Sequence, residues 1–267
     1  MSNRLVSDLR EMVSEQVQCR ELLYQMTKRD LLLRYKQAIM GFAWAVFMPL
    51  LNTAIFSVVF TRVARIDVGM PYPLFAFTGL VAWNFFASSL RFSVVSLTSN
   101  TSLVTKVFFP REIFPLSSVL VCLVDTAVAS LVLVMMMIGY GVVPGVWILA
   151  LPLVIAAHLM LTMMFALLLA MGNLFFRDVK YLFDVGIQVW MFGTSVLYPA
   201  TMVGGTAERA MRLNPLTPIV DAYRDVILLN RMPDPIGFSA VFAFSAIGLV
   251  FAWVVFHRAE YRFAESV

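Results

Sequence analysis

Ile236-Gly237-Phe238-Ser239-Ala240-Val241-Phe242-Ala243-Phe244-Ser245-Ala246-Ile247-Gly248-Leu249-Val250-Phe251-Ala252-Trp253-Val254-Val255-Phe256 runs without a single charged side chain, and His257 and Arg258 close it. A helix needs about 20 apolar residues to cross the hydrocarbon core of a bilayer, and this run supplies them. Unpaired backbone amides cost several kcal/mol in hydrocarbon, so a continuous apolar run of this length must be helical.

The same pattern recurs along the chain. Phe42 to Phe60 and Leu74 to Leu90 are free of charge; only Asp125 interrupts Ile113 to Val143, and only His158 interrupts Gly145 to Phe176. Pro144 and Gly145 separate the last two as a break between helices. Val185 to Val203 is a fifth stretch, punctuated by Gly186, Gly193 and Pro199, which predicts a helix ending near Tyr198. The sum is an all-α integral membrane protein of six spans. Composition agrees: 61% of the 267 residues are hydrophobic and 13% are charged, against about 45–50% and about 25% in soluble domains.

Lys and Arg are retained on the cytoplasmic side of a membrane. Arg4, Arg10, Arg20, Lys28, Arg29, Arg34 and Lys36 precede the first span, and Lys106, Arg111, Arg177, Lys180, Arg258 and Arg262 fall on the same side. The opposite side holds Arg62, Arg65, Arg209, Arg212, Arg224 and Arg231. Both termini are predicted inside. The expected division is a cytoplasmic amphipathic region at 1–41, a transmembrane domain at 42–257 and a cytoplasmic tail at 258–267. Some forty polar and amphipathic residues before the first apolar run argue against a cleaved signal peptide. Cys19 and Cys122 fall in different environments, so neither a disulfide nor a metal site is expected. The net charge of +4 follows from the inside bias, and nucleic acid is not an expected partner.

Leu5, Val6, Leu9, Met12, Val13 and Val17 recur at helical spacing and predict an amphipathic interface helix. Lys28 to Gln37 follows as a basic and aromatic stretch suited to anionic headgroups and membrane lipids. On the outer side, Tyr198 to Pro235 is too long for a tight turn. Thr217-Pro218 reads there as a helix start, with Ile219, Tyr223, Val226 and Ile227 on one face, so short re-entrant or interfacial helices are expected between the fifth and sixth spans.

Ionisable residues inside spans are functional candidates. Arg91 lies about 9 Å of helix rise from Leu97 and Asp125 about 16 Å from Phe114, so the two are expected to share a depth and to pair. His158 reads as a packed, neutral side chain. No convergent set of nucleophile, base or metal ligands is present, and no glycine-rich loop ends in Gly-Lys-Ser or Gly-Lys-Thr, so neither catalysis nor nucleotide hydrolysis is expected of this chain.

The ordered set Arg29-Asp30, Arg34-Tyr35-Lys36-Gln37, Gly41-Phe42-Ala43-Trp44, Pro49-Leu50, Phe109-Pro110-Arg111-Glu112, Phe176-Arg177-Asp178 and Leu213-Asn214-Pro215 resembles the permease subunits of ABC-2-type polysaccharide exporters over nearly the whole chain. Those exporting O-antigen, the polysaccharide of lipopolysaccharide, are the nearest match. The resemblance implies a homodimer in the bacterial inner membrane bound to two copies of a cytoplasmic ABC ATPase, which alone holds ATP and Mg. The implied substrate is a lipid-linked polysaccharide, typically on an undecaprenyl pyrophosphate carrier. It also implies that Lys106, Arg111 and Glu112 lie at the ATPase contact, and that the outer segment with Asn214, Pro215, Tyr223 and Arg224 forms the periplasmic gate.

Sugars present C–H faces to aromatic rings. Phe42, Trp44, Phe47, Phe56 and Phe60 on the first span, with Trp190, Phe192 and Tyr198 on the fifth, are therefore candidates to line the path, or else to face lipid and neighbouring helices. Arg29, Arg34 and Lys36 are candidates for the pyrophosphate or for ordinary headgroups. A capsule or teichoic acid exporter, a drug or lipid exporter, and more remotely an ion-coupled secondary carrier are the alternatives. The last would carry internal repeats and more intramembrane charge.

Overall fold

The computed structural model describes residues 14, 16–36, 43–63, 68–106 and 109–263. Most of the amphipathic segment, from Leu5 to Val13, lies outside them, as do Gln37 to Phe42 and the last four residues. The described residues are all-helical, without strands.

The elements in chain order are α1 (Arg20–Tyr35), α2 (Ala43–Val58, prolonged by a π-turn Val59–Val63), α3 (Tyr72–Ser96), α4 (Thr101–Lys106), α5 (Ile113–Gly139), α6 (Leu151–Phe175), α7 (Val179–Phe192), α8 (Gly205–Leu213), α9 (Leu216–Ile227) and α10 (Pro235–Ala259). Among the described residues, four helices are long and apolar enough to cross a membrane: α3, α5, α6 with the 3₁₀ turn before it, and α10 with the 3₁₀ turn after it. α2 has 16 residues and α7 has 14. At 1.5 Å per residue α7 spans about 21 Å, short of the roughly 30 Å core.

α3 is the centre of the bundle. Its most apolar window is 83% buried, against 28% for α5 and α10. In lipid there is no hydrophobic drive between helices, so close packing and polar ties hold them together. Phe77, Phe86 and Leu90 of α3 are fully buried, and Phe86 meets Phe165 of α6 and Trp190 of α7 edge-on, with centroids at 6.0 and 5.2 Å. α10 packs on α6, where Gly248 leaves the space that the Met164 thioether fills.

The fifth apolar stretch departs from its prediction. The helix begins at Val179, ends at Phe192 with Gly193 at its C-cap, and gives way to a buried non-helical run from Thr194 to Leu197. The released carbonyls explain the stop: Arg224 of α9 donates to Ser195 O, Val196 O (2.6 Å) and Phe75 O (3.3 Å), with its guanidinium 3.6 Å from the centroid of Phe75. Tyr72 donates to Leu197 O at 2.9 Å. α9 is the helix read from Thr217-Pro218, but its first turn is capped differently: Pro215 is the N-cap and Asn214 Oδ1 accepts from Leu216 N at 3.1 Å. Ile219 and Val226 are fully buried, as the predicted face requires.

Arg224 reaches these carbonyls over Gly79, where a Cβ would collide with both its guanidinium and Val196 O. Gly186 on the exposed face of α7 has nothing within 4 Å of such a Cβ. Overpacking a close contact costs about 1–3 kcal/mol. Gly79→Val should therefore lower the yield of monodisperse protein and its thermal midpoint in detergent, while Gly186→Ala leaves both unchanged or slightly raised.

Candidate functional site: a polar cavity beside the central helix

A cavity of about 520 Å³ opens between α1, α2, α3 and α5. Arg34 and Tyr35 come from α1, Trp44, Met48, Pro49 and Asn52 from α2, Asn84, Phe85, Ser88, Arg91 and Phe92 from α3, and Cys122, Asp125 and Thr126 from α5. It holds two arginines, one carboxylate, two amides and an indole, in the size range of ligand pockets.

The expected pair of Arg91 with Asp125 is not formed, although both line this cavity. Asp125 is taken by α1: Arg34 Nη1 and the Tyr35 hydroxyl both bond to its carboxylate. Arg34 also lies against Cys122 Sγ at 3.8 Å and over the Phe92 ring, 3.9 Å from its centroid. Arg91 instead leans toward α7, with Nε 3.7 Å from Asp184 Oδ1 and both side chains roughly half exposed. The reason is the position of α1. It packs along α5, with Asp30 accepting from Ser117 Oγ at 3.1 Å, and so delivers the side chains of its last turn to the depth of Asp125. Burial works against the charge on Arg34, and the Asp125 carboxylate beside it opposes that effect, so the guanidinium's pKa is raised. Burial and the bond to Asp125 push the Tyr35 phenol up.

Of the basic residues read as an anion site, Arg29 pairs with Asp30 and Asn100 Oδ1 (2.8 and 3.1 Å), Arg34 is engaged as above, and Lys36 ends the helix at its C-cap. Arg91, which sequence reasoning assigned to helix packing, is the cavity cation whose contact among the described residues is long and exposed. The signal for this face was present: Asn84, Ser88 and Arg91 recur at i, i+4 and i+7 on α3.

The aromatic candidates divide. Phe42 lies outside the described residues. Trp44 and Phe47 are exposed and meet edge-on at 5.7 Å. Phe56 and Phe60 pack on the core, Phe60 stacking on Tyr72 at 5.7 Å and reaching Tyr198 at 6.5 Å. Phe192 is exposed and its carbonyl accepts from Tyr198. Trp190 turns inward, its ring fitting between Phe86 and Phe165 and its indole donating to Asn214 Oδ1 at 3.0 Å.

The candidate gate residues are ties within the protein. Asn214 donates to Gly193 O and Thr194 Oγ1, both at 2.8 Å, Tyr223 meets His158 Nδ1 at 3.3 Å, and Pro215 starts α9. Arg224 is 3% exposed; burial lowers its pKa to about 10, opposed by Asp221 at 3.1 Å, which leaves it charged at neutral pH.

A sequence profile of the ABC-2 type transporter family matches residues 21–228, from α1 through α9. The chain belongs to the ABC-2 type transporter family. It is 30% identical over 247 residues, 92% of its length and 94% of the relative's, to the O-antigen export system permease protein RfbA of Klebsiella pneumoniae. It is 29% identical over 261 residues, 96% and 99% of the two lengths, to the protein of the same name from Myxococcus xanthus. As an ABC-2 family member with four apolar spanning helices, it is a multi-pass membrane transport protein.

At the end of the bundle where α5 starts and α10 finishes, this ABC-2 chain gathers a second charged group. Arg111 donates to Glu260 Oε1 from both its backbone N (2.9 Å) and Nη1 (3.0 Å), and His257 Nδ1 lies 3.4 Å from the buried Glu112. The ligand atoms of Glu112, His257 and Glu260 fall within 4.8 Å of one another. The Arg111 guanidinium supplies positive charge there, which makes the cluster a clasp between the α4–α5 connection and α10. Sequence reasoning found Arg111 and Glu112 but not His257 and Glu260, which stand almost 150 residues away. The Lys106 side chain lies outside the described residues.

A double-mutant cycle separates the two assignments for Asp125. Arg34→Ala and Asp125→Ala should be coupled in thermal stability by about 0.5–3 kcal/mol, and Arg91→Ala with Asp125→Ala should be additive within about 0.5 kcal/mol.

Proposed function

We propose that this chain is the transmembrane subunit of an ATP-driven exporter that carries a lipid-linked polysaccharide, an O-antigen on undecaprenyl pyrophosphate, across the bacterial inner membrane. The observation carrying this reading is the end-to-end similarity to two O-antigen export permeases, which spans 92% and 96% of the chain.

In this reading α2 and α7 complete the crossing with the four longer helices, giving six spans with both termini in the cytoplasm. The amphipathic region at 1–41 lies at the inner surface, 42–257 is the transmembrane domain and 258–267 the inner tail. Two copies pair, and two ATPase subunits supply nucleotide and Mg. The clasp of Arg111, Glu112, His257 and Glu260 stiffens the segment next to the ATPase contact, so that a push there is passed to α5 and α10 together.

The polar cavity suits the head of such a lipid. A diphosphate enters a low-dielectric groove only beside compensating charge. Arg91 is the donor free to move onto it, since its present contact with Asp184 is long and exposed. Trp44, Asn52, Asn84 and Ser88 add a ring face and hydrogen-bonding groups for the first sugars.

The test is complementation of a strain lacking its own O-antigen permease, with the ATPase encoded beside this chain supplied in parallel. Surface polysaccharide should return, the two subunits should co-purify, and ATP hydrolysis should appear only in the complex. Arg91→Gln should cut surface polysaccharide while co-purification and protein level persist. Failure to retain any ATPase, with export absent, would sink the assignment.

A further inference from the structure

A second cavity, of about 400 Å³, lies among α3, α5, α6 and α9. Its walls are aliphatic and aromatic, including Leu133, Met137, Ile148 and Ile155. The hydroxyls on its walls are spent locally: Thr78, Thr126 and Ser130 donate to the carbonyls of Leu74, Cys122 and Thr126 one turn back, at 2.9, 2.8 and 2.8 Å. The slot therefore offers an occupant almost no polar partner apart from His158 and Tyr223, which bond to each other.

Val81, Phe85 and Thr126 line both this slot and the polar cavity. A site with two arginines thus shares a wall with an apolar slot, the surface complementary to an amphiphile with an anionic head. The order along α5 fixes the direction. Asp125 stands in the polar cavity and Met137 in the slot. The twelve residues between them rise about 18 Å, comparable to half of the roughly 30 Å hydrocarbon core. Asp125 itself stands about 18 Å of helix rise from Ile113, near mid-depth, so the order is that of an inner-leaflet lipid whose head has been drawn to the middle of the bilayer with its chain ahead of it in the outer half.

We propose that the slot seats the first part of the hydrocarbon chain of a phosphate-headed lipid whose head occupies the polar cavity. This rests on the reading of the chain as an exporter of lipid-linked cargo and names where the lipid itself is held. A polyprenyl diphosphate and a bilayer phospholipid share the required chemistry, and the experiment tells them apart. Burying the chain in the slot removes apolar surface from competing lipid contacts only by shape, so the selectivity comes from the joined head and chain sites rather than from either alone.

The experiment uses the full complex of this chain and its ATPase in lipid nanodiscs, exposed to a polyprenyl diphosphate with a photoreactive diazirine near its head, and separately to a phosphatidylglycerol with a diazirine on its acyl chain. Labelled peptides are read by mass spectrometry. The polyprenyl probe is expected to label α5 between 123 and 137 and α6 between 148 and 158, and this labelling should fall to background in Ala127→Trp, which fills the slot, and in Arg91→Gln, which weakens the head site. Ser130→Phe serves as the second filling variant should the first not assemble.

Equal slot labelling by phosphatidylglycerol, sensitive to the same variants, keeps the site and assigns it to a bilayer lipid. Labelling confined to α2 and α7, unchanged by filling the slot, overturns the inference. Restored surface polysaccharide in the complementation assay, measured alongside, shows in that case that the exporter reading survives and only the location of the lipid was wrong.

Discussion

The guanidinium of Arg224 is the tie on which the α9 end of the molecule depends. The helix α7 ends at Phe192, and the buried carbonyls of Ser195 and Val196 beyond it must find donors within the protein. Arg224 provides them, and it can do so only because Gly79 lacks a side chain at the crossing point on α3. Once this contact exists, α9 is pinned against α3, Tyr223 is brought to His158, and Asn214 is placed to receive the Trp190 indole.

A comparable device works at the other end. Arg111 and Glu260 join the start of α5 to the end of α10 through a doubled hydrogen bond. Between these clamps lie the two cavities, and α3 forms a wall of both. The arrangement separates the ties, placed at the two ends, from a middle where Arg91, Trp44 and Phe47 remain exposed. Such a division suits a transporter, whose ends must transmit motion and whose centre must accept and release a ligand.

The long helices were legible because a charge-free run of about 20 residues has one stable form in lipid. The helix beginning near Thr217 was legible from its prolines and its apolar face. The partner of Asp125 was not. Helix rise placed Arg91 and Asp125 at one depth, and they do line one cavity, but depth says nothing about which neighbour stands nearer; α1 carries Arg34 to the carboxylate from a segment that reads as an interfacial anchor. The inward turn of Trp190 was hidden for a similar reason, since rotation about a helix axis is settled by the neighbours it meets.

The sequence by itself determined the solvent, the helical class and, through an ordered set of short motifs, the transporter family, because each depends on composition or on residues close together in the chain. Only the tertiary structure decided which charges pair, which rings face a cavity, and that a polar cavity and an apolar slot share the wall of Val81, Phe85 and Thr126. Those facts depend on contacts between residues tens to more than a hundred positions apart, and no local pattern encodes the packing of the helices around α3.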